Sequence, residues 1–450
     1  MRGLRSTIAL TAVLAGLGAY IYFVTSKKTD TGTEAPRERV FAALEGDKID
    51  ELQVRSESGD TTTVKKVAGA WKMTAPLTTG ADEMDTTAIA TNLGALSITR
   101  VVDEAPTDLK DYGLDKPRIE VAFKASGDKT YANLQRLAIG SKSPTGDLFV
   151  KRDTDKRVLL IPGYIESIFN RSTFELRDKT LIKFAREKVD RIVATTDGKP
   201  LELFKTGNDW AIAKPEAVGA DYGSVDSLIG RLQTAAMKTL VTEDSTPADL
   251  KKYGFDKPQA TLTVGAGETP VTLVFGGKAN ETDVYVRDPA RSFVATVDGS
   301  LIKELEKGAA AYRRRELFAF RGFLGDRLEF TRNGQTIVFE KVKTTDPTPD
   351  KWHRVSPTAG DPNTGRMDTL IAKIENLRAA TFVDSTAKTG LDKPELTIYG
   401  KFDDGKKEER VSFARQGQDV YAAKAGEPGA ATVSTAEFDD TLKVLDEVSK

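Results

Sequence analysis

The sequence predicts an α+β protein in which an N-terminal transmembrane helix is followed by three tandem repeats of mainly antiparallel sheet with packed helices. Three observations predict this class. A long uncharged run stands near the N-terminus, two separate motifs recur with one period, and short alternating strands are mixed with amphipathic helices. Because strands and helices do not follow a βαβ order, the pattern favours antiparallel pairing.

Composition limits the classes of protein that remain. The chain has 450 residues, a length that suggests about three domains. Lys plus Arg number 66 and Asp plus Glu number 67, so the formal net charge of −1 lacks the basic excess of nucleic-acid-binding proteins. Cysteine is absent, which excludes disulfides, thiolate metal sites and cysteine nucleophiles. The single histidine, His353, excludes a His–His metal pair within one chain.

The first predicted element is a membrane anchor. Residues 8–24 form an uncharged run of 17 residues, and a helix of that length rises about 26 Å, near the lower limit for crossing a bilayer. Arg2 and Arg5 precede the run and aromatic residues crowd its far end, so the positive-inside rule keeps the N-terminus in the cytoplasm. This predicts a single-pass anchor at residues 1–26 in the inner (cytoplasmic) membrane, with the C-terminal bulk in the periplasm.

A cleaved signal peptide is the alternative interpretation of the same run. Its apolar part would be longer than usual, and Leu17-Gly18-Ala19 is a poor cleavage site, so an uncleaved anchor is favoured. Residues 27–39 have no apolar rhythm and are predicted to tether the anchor to the first domain.

Two motifs with one period predict three repeats. LKDYGLDKP at residues 109–117 recurs as LKKYGFDKP at residues 250–258, and a shorter TGLDKP ends at Pro394, so the closing prolines lie 141 and 136 residues apart. A tryptophan followed five residues later by a proline recurs with the same period, as Trp71-Pro76, Trp210-Pro215 and Trp352-Pro357. We therefore predict repeats at residues 40–184, 185–320 and 321–450.

Each repeat is predicted to open with a hairpin that turns at Ser58-Gly59, Asp197-Gly198 or Asn333-Gly334. The tryptophan strand and a helix follow. The N-cap is predicted at Asp82 or Asp85 in the first repeat, and at Asp221 or Ser224 in the second. Apolar residues at helical spacing define the helix in the second and third repeats: Val225, Leu228, Ile229, Leu232, Met367, Leu370, Ile371, Ile374 and Leu377.

Short strands such as Ile119-Val121-Phe123 are expected after the motif, and then a second helix near residues 164–169, 301–305 or 438–448. The third repeat differs from the others. It lacks the motif tyrosine, carries a polar insertion near residues 344–350, and shows Arg415-Gln416-Gly417 where we expect an apolar-glycine step.

The Asp-Lys-Pro triplets could present a charged ligand site, but a structural role is favoured. The glycine before them supplies an unusual backbone angle, the aspartate can accept backbone N–H groups, and the proline fixes the start of a strand. The triplets are Asp115-Lys116-Pro117, Asp256-Lys257-Pro258 and Asp392-Lys393-Pro394. Likewise, one tryptophan at a fixed place in every repeat is more typical of a core anchor than of a sugar-stacking platform.

No catalytic, cofactor-binding or metal-ligating residue is predicted, and no cofactor. The acidic pairs Asp103-Glu104 and Glu243-Asp244 are neighbours in sequence and lie near prolines, which favours solvated linkers over paired catalytic carboxylates. Asp153-Thr154-Asp155 lacks the other ligands of a calcium loop. His353 occurs in only one repeat and is predicted at a surface strand position.

The repeated YGLDKP, the tryptophan-proline strand and the RDKTLIKF ending at residues 177–184 resemble the bacterial family known as domain of unknown function 4340. The resemblance covers the chain after the tether and implies no activity. It implies envelope proteins with an N-terminal anchor, many of them encoded beside ABC-type exporter subunits of the kind linked to gliding machinery. Transporter subunits are therefore implied as partners.

These observations favour a non-enzymatic, membrane-anchored periplasmic scaffold or binding protein whose repeats dock other envelope proteins. An accessory role to an ABC-type exporter is a narrower form of this hypothesis. The alternative is a glycan-binding or glycan-processing envelope module, which requires at least two of the three tryptophans to be exposed in a groove. No nucleic-acid partner is expected.

Overall fold

A computed structural model describes residues 38–127, 129–267, 269–343 and 350–450. The predicted anchor and nearly all of the predicted tether lie outside the described residues. Within the described ranges, every helix is too short or too polar to cross a membrane.

The chain divides into two compact units between Lys179 and Thr180. The first unit contains one nine-stranded antiparallel sheet. Its strands are β1 Ile49–Arg55, β2 Thr61–Val67, β3 Ala70–Ala75, β4 Thr79–Gly80, β5 Arg100–Asp103, β6 Ile119–Ala125, β7 Gln135–Lys142, β8 Leu148–Arg152 and β9 Val158–Ile161. Its helices are α1 Glu83–Ala95, α2 Ile165–Phe169 and α3 Thr173–Leu176.

The second unit contains two further sheets, of nine and eight strands. The strands of the second sheet are β10 Val189–Thr196, β11 Lys199–Thr206, β12 Asp209–Lys214, β13 Val218–Gly219, β14 Thr239–Thr242, β15 Ala260–Ala266, β16 Val271–Lys278, β17 Asp283–Arg287 and β18 Val294–Asp298. Its helices are α4 Tyr222–Thr234, α5 Pro247–Lys252 and α6 Ser300–Glu306.

The third sheet follows in the same unit. Its strands are β19 Gly325–Arg332, β20 Gln335–Val342, β21 Lys351–Ser356, β22 Ala379–Val383, β23 Leu396–Phe402, β24 Lys407–Gln416, β25 Asp419–Lys424 and β26 Ala430–Val433. Its helices are α7 Thr364–Asn376 and α8 Thr435–Val448.

All three sheets have one topology. The orders are β4-β3-β2-β1-β6-β7-β8-β9-β5, β13-β12-β11-β10-β15-β16-β17-β18-β14 and β21-β20-β19-β23-β24-β25-β26-β22. The third differs from the others by lacking the short strand after the tryptophan strand. The predicted α+β class with antiparallel sheets is thus confirmed, and the repeat seen in the sequence is a repeat of topology.

Local signals in the sequence form the elements as expected. Asp197 and Gly198 have φ of 49° and 75°, as the tight turn of a two-residue hairpin requires. Asp82 and Asp221 are the N-caps, since each carboxylate accepts from the backbone N–H three residues later. The predicted apolar positions of α4 and α7 are buried and pack on one face of their sheets.

Residues 313–320, the second of the two segments that end alike in the sequence, contact both sheets of the second unit. Arg313 bridges to Ala220 beside the second sheet, and three residues later Glu316 bridges to Arg378 beside the third. Leu317 N then donates to Leu377 O at 3.2 Å. Residues 313–320 therefore close one repeat and open the next.

The polar insertion of the third repeat lies in the hairpin before its tryptophan. Val342 pairs with Lys351, whereas Val67 pairs with Ala70 at the equivalent place in the first repeat. The longer loop agrees with the predicted insertion near residues 344–350, of which 344–349 lie outside the described residues.

Candidate functional site

The repeated motif forms a tight loop that leads into β6, β15 and β23. Its glycine is left-handed in every repeat, with φ of 66° at Gly113, 81° at Gly254 and 75° at Gly390. A side chain is strained in that conformation, so backbone geometry accounts for the recurring glycine.

A second glycine makes room for the carbonyl of the loop tyrosine. A Cβ on Gly140 would lie 2.1 Å from Tyr112 O, and a Cβ on Gly276 would lie 2.3 Å from Tyr253 O. Both distances are much shorter than a van der Waals contact. Because the overlapping atom is a backbone carbonyl oxygen, the strand cannot accept a side chain at this position without moving.

In the third repeat, this step is Phe413-Ala414, so the predicted equivalence with Arg415-Gln416-Gly417 is wrong, and its glycine lies three residues after the true position. Glu395 N donates to Phe413 O just as Arg118 N donates to Ile139 O, which fixes the equivalence. Gly417, on which the predicted equivalence was based, has φ of 66° and belongs to the turn between β24 and β25.

Gly276→Ala is expected to destabilise the second repeat by about 1–3 kcal/mol, because the new methyl group overlaps a carbonyl that cannot rotate away. Gly230→Ala in the interior of α4 is the matched control. There the Cβ meets only the end of the Arg186 side chain at 3.4 Å, and alanine should stabilise the helix by about 0.5–1 kcal/mol. Hydrogen–deuterium exchange of the second sheet measures the change in stability of both variants. If both were stabilised, or both destabilised, the steric argument would be contradicted.

The charged residues of the triplets make none of the contacts that the structural interpretation expects. Asp115, Asp256 and Asp392 are exposed, as are the lysines that follow them. Among the described residues, no backbone N–H donates to these three carboxylates. The predicted role of the aspartate as a backbone acceptor is therefore wrong, whereas the roles of the glycine and the proline are supported.

The tryptophans are core residues, as the favoured interpretation expects. Trp71 and Trp210 are each 3% exposed, and Trp352 is half-buried against the third core. Each tryptophan has a lysine as its direct cross-strand neighbour. The pairs are Lys66–Trp71, Lys205–Trp210 and Lys341–Trp352.

Sequence reasoning missed these lysine–tryptophan pairs. Lys66 Nζ lies 5.0 Å from the centroid of Trp71, and Lys341 Nζ lies 5.9 Å from that of Trp352, within cation–π range. The signal was present, because Lys66 and Lys205 each stand five residues before their tryptophan. The insertion hides the same spacing in the third repeat.

The remaining acidic candidates lie in separate structural contacts. The Tyr112 hydroxyl donates to Asp103 Oδ2 at 3.3 Å. Asp155 pairs with Arg157 at 2.9 Å and also with Arg152. Hydrogen bonds from Arg157, opposed by burial and aided by Arg152, hold the pKa of Asp155 well below its usual range. Within the described part of the chain, no three acidic or histidine side chains converge to hold a metal ion.

His353 lies on β21, on the side of the third sheet that faces away from the core, as predicted for a surface strand position. Its Nδ1 is 2.5 Å from Asp361 Oδ1. The aspartate is itself exposed, so this is a surface pair rather than part of a buried constellation.

The outer faces of the sheets, opposite the buried cores, carry the clearest differences between the repeats. In the first sheet, four side chains are direct cross-strand neighbours on this face, in the order Lys72, Lys65, Glu51 and Lys124. Lys65 Nζ and Lys124 Nζ lie 3.2 and 3.1 Å from the same Glu51 oxygen. We call these four residues the lysine row.

Electrostatics of the row favour an anion. Burial raises the pKa of Glu51, but hydrogen bonds from Lys124 and Lys65 outweigh it and hold the pKa below the ordinary value. The single carboxylate is therefore ionised and shared by two lysines, while Lys72 is exposed directly opposite Lys65. Like charges at such positions are destabilising when nothing lies between them.

The equivalent four positions carry a different set of side chains in each of the other sheets, and only Lys124 has a lysine at its place in the third sheet. The second sheet has Ala211, Phe204, Arg191 and Gly265. The third has His353, Glu340, Arg327 and Lys401. One scaffold therefore presents a basic row, a nearly uncharged row and a mixed row at the same place.

The basic character extends across the outer face of the first sheet. Basic side chains at its outward strand positions outnumber carboxylates there: Arg55, Lys65, Lys72, Arg100, Lys124, Arg136 and Lys151 against Glu51, Asp103 and Glu120. Part of the face is covered, since the Tyr112 ring packs on Phe149 of β8 with centroids 5.2 Å apart. The lysine row lies on the other strands of the sheet.

Comparison with known proteins identifies the family of the chain but gives no information about its function. No curated protein matches the chain. A solved structure, "Crystal structure of DNA polymerase sliding clamp from Pseudomonas aeruginosa with ligand", is 9% identical over 88% of this chain and 93% of that one, with a TM-score of 0.16. That likeness carries no argument about fold or function. Residues 71–218 and 210–394, which together span most of the repeats, match one family. The chain belongs to the family described as Domain of unknown function (DUF4340).

Proposed function

We propose that the protein is a membrane-anchored, extracytoplasmic scaffold that binds other proteins of the cell envelope and catalyses no reaction. One observation carries the proposal. The residues that build the fold recur in all three sheets, whereas one row of four cross-strand neighbours on the outer face changes its chemistry from repeat to repeat. A repeated scaffold with different outer faces is suited to binding several different partners or surfaces.

The proposed location rests on the N-terminal sequence. The uncharged run at residues 8–24, with Arg2 and Arg5 before it, supports a single-pass anchor at residues 1–26 in the inner membrane and a periplasmic bulk. Subunits of an ABC-type exporter are the partners that the family resemblance suggests, which is an argument by analogy.

The glycan alternative has less support than the scaffold. It requires at least two exposed tryptophans, and Trp71 and Trp210 are each 3% exposed. Stacking on a sugar ring needs an accessible aromatic face, so the alternative loses its binding platforms.

Cross-linking in the native host, followed by detergent extraction, affinity purification and mass spectrometry, tests the scaffold. A version without residues 1–26 is the control. We expect a set of envelope proteins to be recovered only with the full chain. Retention of the chain by isolated cell wall, with no protein partner, would favour the glycan module instead.

A second arm tests the non-enzymatic part of the proposal. Conservative substitutions of single carboxylates on the protein surface, such as Glu120→Gln, are expected to leave the recovered partners unchanged. Loss of function through one such change, in a protein that still folds, would contradict the proposal.

A further inference from the structure

The lysine row lies at the end of the first sheet where the described chain begins. A cavity of ≈ 390 Å³ there is lined by Glu45, Lys48 and Lys129, among others. An adjoining cavity of ≈ 390 Å³ is lined by Lys65 and Lys124 of the row. Residues 125–127 line both cavities, so Lys48 and Lys129 of the first cavity are continuous with the row.

Two of the three carboxylates that line these cavities are engaged by neighbours, whereas Glu45 is exposed. Asp50 accepts a short hydrogen bond from the Ser126 hydroxyl, and Glu51 is shared by Lys65 and Lys124. The lysines have spare donors, because one ammonium group carries three N–H bonds. Six lysines line the two cavities or belong to the row, against three carboxylates, so the charge at this end is cationic: Lys48, Lys65, Lys66, Lys72, Lys124 and Lys129 against Glu45, Asp50 and Glu51.

The tether keeps this end close to the proposed membrane. Thirteen residues, and so fourteen Cα-to-Cα steps, lie between position 24 and position 38. Chain length alone therefore limits the separation to about 50 Å. A basic sheet face held at that distance meets the bilayer surface at a high effective concentration.

We propose that the lysine row is a docking surface for the anionic lipid headgroups of the membrane in which the N-terminus is anchored. The inference rests on the proposed anchor. Because Lys65, Lys72 and Lys124 lie on the same face of neighbouring strands, they can meet a layer of lipid phosphates from one side. Each lysine near an anionic bilayer strengthens adsorption by about fivefold at low salt. Nucleic acid is the weaker candidate, because the whole chain has a net charge of −1.

The test uses the full chain in lipid nanodiscs, which leave both bilayer faces open to reagents. One set of discs contains phosphatidylcholine alone and the other contains phosphatidylcholine with phosphatidylglycerol. Lysine acetylation rates are measured by mass spectrometry. We expect Lys65, Lys72 and Lys124 to react about fivefold more slowly on anionic discs, and added salt to remove the difference.

Two variants localise the effect. The variant Lys65→Gln, Lys72→Gln, Lys124→Gln keeps side chains that can hydrogen bond to Glu51 but removes the charge. In this variant, protection of the neighbouring reporter Lys48 should disappear. The matched control changes three exposed loop lysines, Lys116→Gln, Lys257→Gln and Lys393→Gln, and should retain the protection.

The outcomes separate the docking surface from the anchor. Co-elution with both kinds of disc and equal acetylation rates would keep the anchor and overturn the docking surface. Co-elution with neither kind would overturn both, and co-elution with anionic discs alone would support the surface and contradict the anchor. Protection by soluble heparin but not by anionic discs would assign the row to a polyanion and overturn the membrane proposal.

Discussion

Trp71→Ala is expected to destabilise the first sheet by about 3–5 kcal/mol. Trp71 is 3% exposed and lies in a core shared with Met73 and the strands around it. Truncation removes a large apolar side chain and leaves a cavity that the close-packed neighbours fill only in part. Hydrogen–deuterium exchange of β1, β2 and β3 measures the loss, with the third sheet in the same molecule as an internal reference.

Trp352→Ala serves as the graded control for that prediction. The same ring at the equivalent place is half-buried, and its nearest aromatic neighbour, Phe320, is 6.4 Å away between centroids. We therefore expect a smaller loss in the third sheet. An equal or larger loss of stability in Trp352→Ala would show that the buried fraction of each tryptophan does not determine its contribution to stability. That result would contradict the assignment of Trp71 to the core on the basis of burial.

Features with a local cause could be predicted from the sequence. The turn at Asp197-Gly198 needs two residues that tolerate positive φ, and the stretch around α7 repeats its apolar residues with the period of a helix. The spacing of the two motifs likewise reported the repeat directly. The choice of Asp82 over Asp85 as N-cap needed the structure, because both residues have the right chemistry and only the backbone geometry separates them.

Features set by pairing between distant strands could not be predicted. The lysine row exists because β1 lies between β2 and β6, which brings Glu51 to Lys124 across 73 residues of sequence. The pattern of residues within one strand does not indicate which distant strand will pair with it. The prediction that Asp115 accepts backbone N–H groups failed for a different reason. It applied a rule for local turns to a carboxylate that is exposed to solvent in the fold.

Glu409→Ala is expected to destabilise the third sheet by about 3 kcal/mol. The Glu409 side chain is 5% exposed and accepts from Ala319 N at 3.0 Å, from Phe320 N at 2.6 Å and from Lys424 Nζ at 3.0 Å. Alanine would leave two backbone donors and an ammonium group without their acceptor in a dry environment. The two backbone donors belong to residues 313–320, the segment that joins the second sheet to the third.

Glu408→Gln is the matched control, because the neighbouring carboxylate is exposed and only accepts from the Tyr399 hydroxyl at 2.7 Å. Its effect should stay within about 0.5 kcal/mol. Glu409→Gln should fall between the two, since an amide keeps one acceptor oxygen but turns a donor towards a second N–H. Faster exchange of the amides of Ala319 and Phe320 in Glu409→Ala, with the first sheet unchanged, would place the loss at the joint between two repeats. Unchanged exchange at those amides would mean that Glu409 does not hold residues 313–320 in place, and that the packing of Phe320 does so instead.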